Sequence, residues 1–451
     1  MICEMRLSDA AIRFGGTLLN PDCMFSTVAI DSRKTEYGDL FVALIGERLD
    51  AHDFLYQVAD KACGLVVSTA DKSLPLPQWV VPDTTVALGQ LALLQREQYS
   101  GVVVAITGST GKTSVKEMVA SIFVCCGSVH ATKGNFNNHV GVPLTFLAME
   151  GNTDFAVIEM GASGPGEIEY LCSIAKPHIA LINNVQQAHL EGFGSVEGIA
   201  AAKGEIYAGL SDEGIAVLNI DQLWLEQWRA LIGDKPCVTF SAETADADVS
   251  ASEVHVLANG CCNFVLHTPV GQGSVSLTIP GRHAVSNALA ASACAIAAGA
   301  TLQQIIAGLE AVRAPARRLE VKTLPSGAHI IDDTYNASPA SVRAAIDVLA
   351  ASPGRRVMVF GDMAELGADA DALHEQIGAY ALAAGIDALY TVGRLSAAAS
   401  AVFNGQHFAD AELLKRPLVE EAKCRELTLL VKGSRSAKMD LVVDMLMAEK
   451  N

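Results

Sequence analysis

The sequence GVVVAITGSTGKTS, at residues 101–114, decides how the middle of the chain folds. Its apolar run at 101–106 predicts a strand buried on both faces, and a helix is predicted at 114–125 after the Gly-rich turn. Such a turn directs backbone N–H groups at an anion in front of a helix N-terminus. The turn therefore predicts a phosphate cradle, in which Lys112 reaches the β- and γ-phosphates and Thr113 ligates Mg²⁺.

The cradle is shorter than the usual P-loop. The pattern GxxxxGK[ST] places a Gly five residues before Gly111, and this chain has Ile106 there. The shorter loop argues against a GTPase or an ordinary ATPase, and a plain strand-to-helix turn stays open as an alternative. The residues assigned to the nucleotide phosphates are Gly108, Ser109, Thr110, Gly111, Lys112 and Thr113.

Buried strands and helices alternate on both sides of the cradle. Apolar runs at 155–159, 179–182 and 215–219 predict further strands of a mostly parallel sheet covered by helices, whereas 245–280 is typical of antiparallel hairpins. A chain of 451 residues has room for about three domains at roughly 150 residues each. We expect an α/β protein with a small α/β domain, a central parallel-sheet domain with the P-loop and hairpins, and a Rossmann-like domain, at 1–80, 81–313 and 314–451.

Composition excludes several classes of function. The formal net charge of −18 argues against nucleic acid or an anionic membrane surface as a partner. The 11 cysteines are scattered, which indicates reduced thiols in a cytoplasmic protein rather than a disulfide scaffold. No stretch of about 18 apolar residues occurs, so we expect no signal peptide and no membrane span.

Glu159 and His189 are candidates for metal binding beyond the cradle, whereas the residues alone do not single out Lys203. Glu159 ends a predicted strand at the sheet edge where ligands bind in such folds, although a solvated strand end fits equally well. His189 lies in a loop, where a lone His is usually only polar. Lys203 lies in a predicted helix, where a lone Lys is usually a solvated surface residue. His374 either lines the cleft or lies on a helix surface.

From the cradle onward, the chain resembles the Mur ligases of peptidoglycan synthesis. The stretches TKGNFNNHVGVPLT at 132–145 and GDMAELG at 361–367 are similar to the family member that joins D-alanyl-D-alanine to UDP-N-acetylmuramoyl-tripeptide. Asp31-Ser32-Arg33 looks like part of its UDP-binding domain. The other markers are the cradle, Glu159, His189, AAKGEIY at 201–207, GRHAVSNA at 281–288, Arg317-Arg318 and DDTYNASP at 332–339.

The resemblance implies an ATP-dependent ligase that makes an amide bond through an acyl phosphate. It implies ATP and two Mg²⁺ ions as cofactors, with UDP-N-acetylmuramoyl-tripeptide and D-alanyl-D-alanine as substrates. Thr113 and Glu159 would hold the first Mg²⁺. Lys203, carbamylated by CO₂, and His189 would serve the second, with Glu159 near. Carbamylation requires a neutral amine, so the site must lower the pKa of Lys203.

Further roles follow from the same resemblance. Lys112 and Arg318 would neutralise the transferred phosphoryl group, with Arg318 reaching the γ-phosphate across a domain boundary. Asn287 would contact adenine, and Asp333 the ribose hydroxyls. Tyr335 and Asn336 would line the adenine or the incoming dipeptide. The residues assigned to the other substrates are Ser32, Arg33, Asn135, Asn137, Asn138, Lys432 and Arg435, of which one of the last two meets an anionic group.

Two other kinds of protein remain open from the sequence. One is a related ligase, such as the tripeptide-forming enzyme, a folylpolyglutamate synthase or the cyanophycin type, against which the stretch at 135–145 argues. The other is a nucleotide-binding regulator without catalysis, which would have no use for Glu159, His189 and Lys203 together. We expect a monomer.

Overall fold

The computed structural model describes residues 1–187 and 190–448. Its first segment, residues 1–80, contains β1 (Met5–Arg6), α1 (Leu7–Phe14), β2 (Thr17–Leu19), β3 (Met24–Phe25), β4 (Val28–Ala29), β5 (Leu40–Val42), a 3-10 helix (Ala51–Phe54), α2 (Leu55–Val58), β6 (Gly64–Val67) and β7 (Gln78–Val80). One sheet has the order β2-β7-β6-β5-β4, and β1 pairs with β3 separately. Only β2 runs antiparallel to its neighbour in the larger sheet.

The middle segment carries the predicted parallel sheet. Its elements are α3 (Thr84–Glu97), β8 (Val102–Thr107), α4 (Lys112–Val124), β9 (Val129–Ala131), α5 (Gly141–Leu147), β10 (Phe155–Glu159), α6 (Glu167–Ala175), β11 (Ile179–Ile182), α7 (Leu190–Phe193), α8 (Val196–Ala208), β12 (Ile215–Asn219), α9 (Leu225–Ile232), β13 (Cys237–Phe240), β14 (Ser250–Val256), β15 (Cys261–Thr268), β16 (Gly271–Pro280), α10 (His283–Ala297) and α11 (Leu302–Ala311). Six parallel strands have the order β13-β12-β11-β8-β10-β9, and β14-β15-β16 form the predicted antiparallel sheet.

The last segment contains a second open sheet. Its elements are β17 (Glu320–Thr323), β18 (His329–Asp333), α12 (Pro339–Ala350), β19 (Arg355–Gly361), a 3-10 helix (Gly367–Asp369), α13 (Ala370–Ala383), β20 (Ala388–Val392), α14 (Ser396–Phe403), β21 (Gln406–Phe408), α15 (Ala411–Glu421), β22 (Leu427–Lys432), a 3-10 helix (Arg435–Ala437) and α16 (Asp440–Ala448). The sheet order is β17-β18-β22-β19-β20-β21, with only β17 antiparallel to its neighbour.

Strand β8 is covered by protein on both faces, as its apolar run predicts. Val103 belongs to the hydrophobic core packed with α3, α6 and α8, and Val104 belongs to the opposite core packed with α4, α10 and α11. Neighbouring residues of a strand point to opposite faces, so a strand between two helical layers must be apolar throughout. The α/β class with a parallel central sheet is therefore confirmed.

No helix in the part of the chain that the structure describes has the length and apolar character needed to cross a bilayer.

Helix α4, which leaves the phosphate cradle, packs closely against α11. Gly308 permits this approach: an added Cβ would lie 2.4 Å from Ile122 Cα and 2.6 Å from its backbone nitrogen. In addition, the Ser121 hydroxyl donates to the Gly308 carbonyl at 2.7 Å.

Replacing this glycine tests whether the cradle helix depends on that contact. A Gly-to-Ala change inside a helix normally stabilises it by about 1 kcal/mol. We expect Gly308→Ala instead to destabilise by about 1–3 kcal/mol, because the new methyl group meets rigid backbone. The midpoint of urea unfolding measures this. Ala307→Val, which adds volume on the exposed face of α11, is the control and should cost no more than about 0.7 kcal/mol; a Gly308→Ala variant as stable as the parent would contradict the contact.

Candidate active site

The turn between β8 and α4 is shaped by a glycine that nothing larger can replace. Gly111 has φ 77° and immediately precedes the first residue of α4, Lys112. An added Cβ there would lie 2.6 Å from both Asn183 Nδ2 and Asn287 Oδ1. The helix therefore begins two residues earlier than predicted, and Lys112 and Thr113 both lie in its first turn. Free N–H groups of a first helical turn favour an anion in front of them.

The cradle is held from the side by the segment that follows β11. Asn184 Oδ1 accepts from the Thr110 backbone N–H at 3.0 Å and from its hydroxyl at 3.2 Å. The Ser109 hydroxyl donates to the Gln186 carbonyl at 3.0 Å, and the Gln186 N–H donates back to that hydroxyl at 2.9 Å. Asn183 Nδ2 donates to the Thr110 carbonyl at 3.0 Å.

Sequence reasoning missed the roles of Asn183, Asn184 and Gln186. Their signal was a run of amides directly after a buried strand, at the carboxyl edge of the sheet where ligands bind. Asn287 belongs to the same group, because its Oδ1 accepts from Asn183 Nδ2 at 3.0 Å. It is the fifth residue of α10 and is buried. The amide lies directly behind Gly111.

Lys112 folds back over the cradle. Its ammonium donates to the Gly108 carbonyl at 2.7 Å. Burial lowers the pKa of Lys112, the nearby Glu159 carboxylate opposes that change, and the positive charge of Arg318 reinforces it. Two charges therefore act on the Lys112 ammonium, the carboxylate of Glu159 at the end of β10 and the guanidinium of Arg318 in the last segment of the chain. This places all three charges around the cradle.

Glu159 is buried, so the alternative of a solvated strand end is wrong. Its Oε2 accepts from the Thr113 hydroxyl at 2.8 Å, and its Oε1 accepts from Asn137 Nδ2 at 2.8 Å. Its backbone N–H donates to the Thr132 hydroxyl at 3.0 Å. The two residues predicted to bind the first Mg²⁺, Thr113 and Glu159, are therefore in direct contact through this hydrogen bond.

The donor atoms of this pair fit a hard cation. Mg²⁺ prefers oxygen ligands and is usually held by one or two carboxylates together with water and substrate phosphates. Thr113 and Glu159 supply a hydroxyl and a carboxylate beside the phosphate cradle. Within residues 1–187 and 190–448, no three His, Cys, Asp or Glu side chains form a metal-binding group, and a phosphate-bridged Mg²⁺ does not require one.

Lys203 is buried, contrary to the surface position that a lone helical lysine favours. It lies in α8 with 3% exposure, and its ammonium is 5.9 Å from the centre of the Phe193 ring. Burial and the positive charge of Lys112 lower the pKa of Lys203 to about 7. A substantial fraction of this amine is neutral near neutral pH. His189, the other predicted ligand of this metal, lies outside the described residues.

Glu205, one half-turn beyond Lys203, is a further residue that sequence reasoning missed. Its two carboxylate oxygens accept from the backbone N–H groups of Gly166, at 2.7 Å, and Glu169, at 3.0 Å. These groups lie at the start of α6, in the segment that follows Glu159. Glu205 therefore joins the helix that carries Lys203 to the strand end that carries Glu159.

Arg318 stacks on Tyr335 in the last segment of the chain. The guanidinium carbon lies 4.0 Å from the ring centre, and Arg435 approaches the same ring at 6.0 Å. The resemblance assigns Arg318 to the γ-phosphate. Arg317 pairs with Asp440 at 2.9 Å and Arg313 caps the Ala311 and Val312 carbonyls, whereas Arg318 acts on Lys112 in the cradle.

Asp333 and Lys432 form a buried ion pair. Lys432 also donates to the Asn336 carbonyl at 3.0 Å, and the Leu319 N–H donates to Asp333 Oδ1 at 3.2 Å. Lys432 ends strand β22 beside β18. The Asn336 side chain accepts from the Ala337 N–H at 2.9 Å and is exposed.

Besides Lys432 and Arg435 in the last segment, the residues predicted to hold the other substrates lie in two places. Asn137 contacts Glu159, and Asn138 accepts from the N–H of Gly141 at 2.9 Å where α5 begins. Asn135 is exposed in the same loop. Ser32 is half-buried in the first segment, where Arg33 is exposed and donates to both oxygens of Asp31.

His374 takes neither of its two predicted positions. It is fully buried, and its Nε2 accepts from the Met363 N–H at 2.9 Å while Nδ1 lies 2.7 Å from the Ala370 carbonyl. The neutral ring thus links α13 to the loop that follows β19, and burial lowers its pKa. It is a positioning residue for that loop.

Comparison with known proteins identifies the family. The description "Mur ligase middle domain" matches residues 106–295, and "Mur ligase, glutamate ligase domain" matches residues 317–435. The chain belongs to the Mur ligase family. It is 46% identical over 443 residues to the Escherichia coli UDP-N-acetylmuramoyl-tripeptide--D-alanyl-D-alanine ligase, with 98% of each chain covered.

Solved structures of Mur ligases share the whole architecture. MurF from Acinetobacter baumannii is 35% identical, has a TM-score of 0.91 and is covered over 98% of both chains. The MurF ligase from Thermotoga maritima in complex with ADP is 28% identical with a TM-score of 0.82, covering 93% of this chain and 97% of that one. The cradle and the residues around it thus belong to a ligase fold for which a nucleotide complex is known.

We expect the hydrogen bonds of Asn184 to the cradle to strengthen nucleotide binding. Asn184→Ala removes the acceptor for the Thr110 N–H and hydroxyl, so the loop loses its preformed shape. We expect the dissociation constant for ADP, measured by calorimetry without divalent cation, to rise about tenfold, because each such bond contributes about 1 kcal/mol. Asn152→Ala, in an exposed turn of the same sheet domain, is the control. Equal ADP affinity in the two variants would show that the Asn184 hydrogen bonds do not contribute to ADP binding.

Proposed function

We propose that this chain is an ATP-dependent ligase that adds D-alanyl-D-alanine to UDP-N-acetylmuramoyl-tripeptide. One observation carries the proposal: at the first turn of α4 the Lys112 ammonium folds onto the Gly108 carbonyl and the Thr113 hydroxyl donates to the buried Glu159 carboxylate, while the charge of Arg318 acts on Lys112. This is the charge arrangement that a transferred phosphoryl group requires. The 46% identity to the Escherichia coli ligase over 98% of both chains supports the choice of substrates.

The reaction requires activation of a carboxylate, which is a poor acyl donor. A carboxylate oxygen of the tripeptide's last residue attacks the γ-phosphorus of ATP, and the bond to ADP breaks. The acceptor amine then attacks the carbonyl carbon of the acyl phosphate, and phosphate leaves as the amide nitrogen loses its proton. Lys112 and Arg318 stabilise negative charge on the transferred group, and the first turn of α4 binds the neighbouring phosphates.

Two Mg²⁺ ions and a carbamylated Lys203 complete the proposed site. Bound at Thr113 and Glu159, Mg²⁺ would neutralise phosphate oxygens. Its second site would use Lys203 and His189. The burial of Lys203 and its lowered pKa support carbamylation, because only a neutral amine reacts with CO₂. The carbamate would then replace a buried positive charge by an oxygen ligand suited to Mg²⁺.

The remaining roles belong to the same proposal. Asn287 contacts adenine beside the cradle, and Asp333, Tyr335 and Asn336 lie on the nucleotide side of the last segment. Ser32 and Arg33 hold the UDP substrate, with Asn135 and Asn138 near the tripeptide. A division at 1–80, 81–313 and 314–451 lets the last part close on the middle one. ATP and UDP-linked substrates place the reaction in the cytoplasm, and we propose a monomer.

A panel of donors and acceptors tests the function directly. Phosphate release is measured with UDP-N-acetylmuramoyl-tripeptide and D-alanyl-D-alanine, with each substrate alone, and with the dipeptide donor plus diaminopimelate or lysine. We expect release only with the tripeptide and D-alanyl-D-alanine together. Release with the dipeptide donor would assign a tripeptide-forming ligase. Binding of ATP with no acceptor-dependent release would assign a regulator without catalysis.

Chemical rescue tests the carbamate. We expect Lys203→Ala to lose more than about 100-fold in ligation rate, because several kcal/mol of charge stabilisation at the phosphoryl group disappears. Acetate or formate added to the variant should restore part of the rate by supplying the missing carboxylate. Lys235→Ala, a lysine outside the proposed site, should show neither effect. A Lys203→Ala enzyme with the parent rate would refute the assignment.

A further inference from the structure

Lys116 is a buried lysine that the proposed reaction does not use. It lies in α4, one helical turn after Lys112, and it is 2% exposed. Its ammonium donates to the Thr132 carbonyl at 2.8 Å and to Glu117 Oε1 at 2.5 Å. An ammonium is costly to bury, so a lysine at this position points to a contact that an apolar side chain could not make.

Thr132 is the residue at which the pairing of β9 with β10 stops. Its backbone N–H donates to the Val157 carbonyl at 3.0 Å, as the register of the two parallel strands requires. The next bond of that ladder would run from the Glu159 N–H to the Thr132 carbonyl. Instead, the Glu159 N–H donates to the Thr132 hydroxyl at 3.0 Å, and the carbonyl accepts from Lys116. Strand β9 accordingly ends at Ala131.

The loop that follows Thr132 returns to the same carboxylate. Asn137 Nδ2 donates to Glu159 Oε1 at 2.8 Å, and the Asn137 carbonyl accepts from the Gly161 N–H at 2.8 Å. A strand that continued past Thr132 would carry the chain away along the sheet edge, at roughly 3.3 Å per residue. The end of the ladder at Thr132 therefore allows Asn137 to reach Glu159, whose other oxygen accepts from the Thr113 hydroxyl.

We propose that Lys116 is a positioning residue for the Glu159 carboxylate, because it holds the Thr132 carbonyl and leaves the Glu159 N–H to the Thr132 hydroxyl. The inference rests on the proposed Mg²⁺ site at Thr113 and Glu159, and it adds the residue that orients the carboxylate. Lys112 and Lys116 are four residues apart and lie on one face of α4. The helix that presents the phosphate cradle thus also fixes the carboxylate for the cation.

The binding of ADP with and without Mg²⁺ tests this assignment in the absence of ligation. Calorimetry gives the dissociation constants for ADP and for MgADP in the parent and in Lys116→Met, which keeps an unbranched side chain and removes its charge. Glu117→Gln is the matched control, because it removes the charge partner of Lys116 and keeps the bond to Thr132. Thr132→Val and Thr132→Ser test the hydroxyl separately.

The parent should bind MgADP about 10- to 100-fold more tightly than ADP, since the cation joins the phosphates to Glu159. Lys116→Met should lose about tenfold of this gain, the usual effect of removing a group that orients a metal ligand, and should keep its affinity for metal-free ADP within about twofold. Thr132→Val should show the same loss, whereas Thr132→Ser and Glu117→Gln should behave like the parent. The double variant Lys116→Met/Thr132→Val should lose no more than either single variant, because both act on one hydrogen-bond arrangement.

The assignment fails if Lys116→Met keeps the parent's full gain from Mg²⁺, because its ammonium then does not orient Glu159. An equal loss of affinity for ADP and for MgADP would make Lys116 a general support of the cradle helix. If Lys116→Met does not fold, a full gain from Mg²⁺ in Thr132→Val contradicts the assignment in the same way. A parent that gains nothing from Mg²⁺ would overturn the proposed cation site and the role of Lys116 with it, whereas a parent with this gain but no ligation would overturn only the proposed reaction.

Discussion

The path of the backbone at Gly111 sets the position of the charges around the cradle. The residue adopts a left-handed conformation with two amide side chains, Asn183 and Asn287, pressed against its Cα. The next two residues begin α4, where the Lys112 ammonium donates to the Gly108 carbonyl and the Thr113 hydroxyl donates to Glu159. A side chain at Gly111 would push the helix away from those amides and separate Thr113 from Glu159.

Much of the rest of the middle segment supports that turn. Asn184 and Gln186 hold the cradle from the end of β11, while Asn137 and Thr132 hold Glu159 from the loop before α5. These contacts fix the site before nucleotide arrives, and a preorganised set of dipoles needs little rearrangement during phosphoryl transfer. The last segment contributes positive charge, through Arg318, rather than shape.

The sequence predicted the strands well because a strand buried on both faces is a local pattern. The runs at Phe155–Glu159, Ile179–Ile182 and Ile215–Asn219 have the predicted bounds. Side-chain environments were harder to predict, since they depend on which surfaces meet. Lys203 is buried only because α8 packs against both the sheet and α9, and His374 is buried only because α13 covers the loop after β19. The ion pair of Lys432 and Asp333 joins residues 99 positions apart.

The hydrogen bonds of Glu205 connect the two parts of the chain that carry the proposed metal ligands. Its carboxylate spans α8 and the start of α6, which continues from the strand end that carries Glu159. Lys203 and Glu159 are thereby linked through charge-assisted hydrogen bonds, and this connection is shorter than the covalent path between them. The two proposed metal ligands are therefore tied together within the middle segment, whereas the guanidinium that acts on the cradle, Arg318, comes from the last segment.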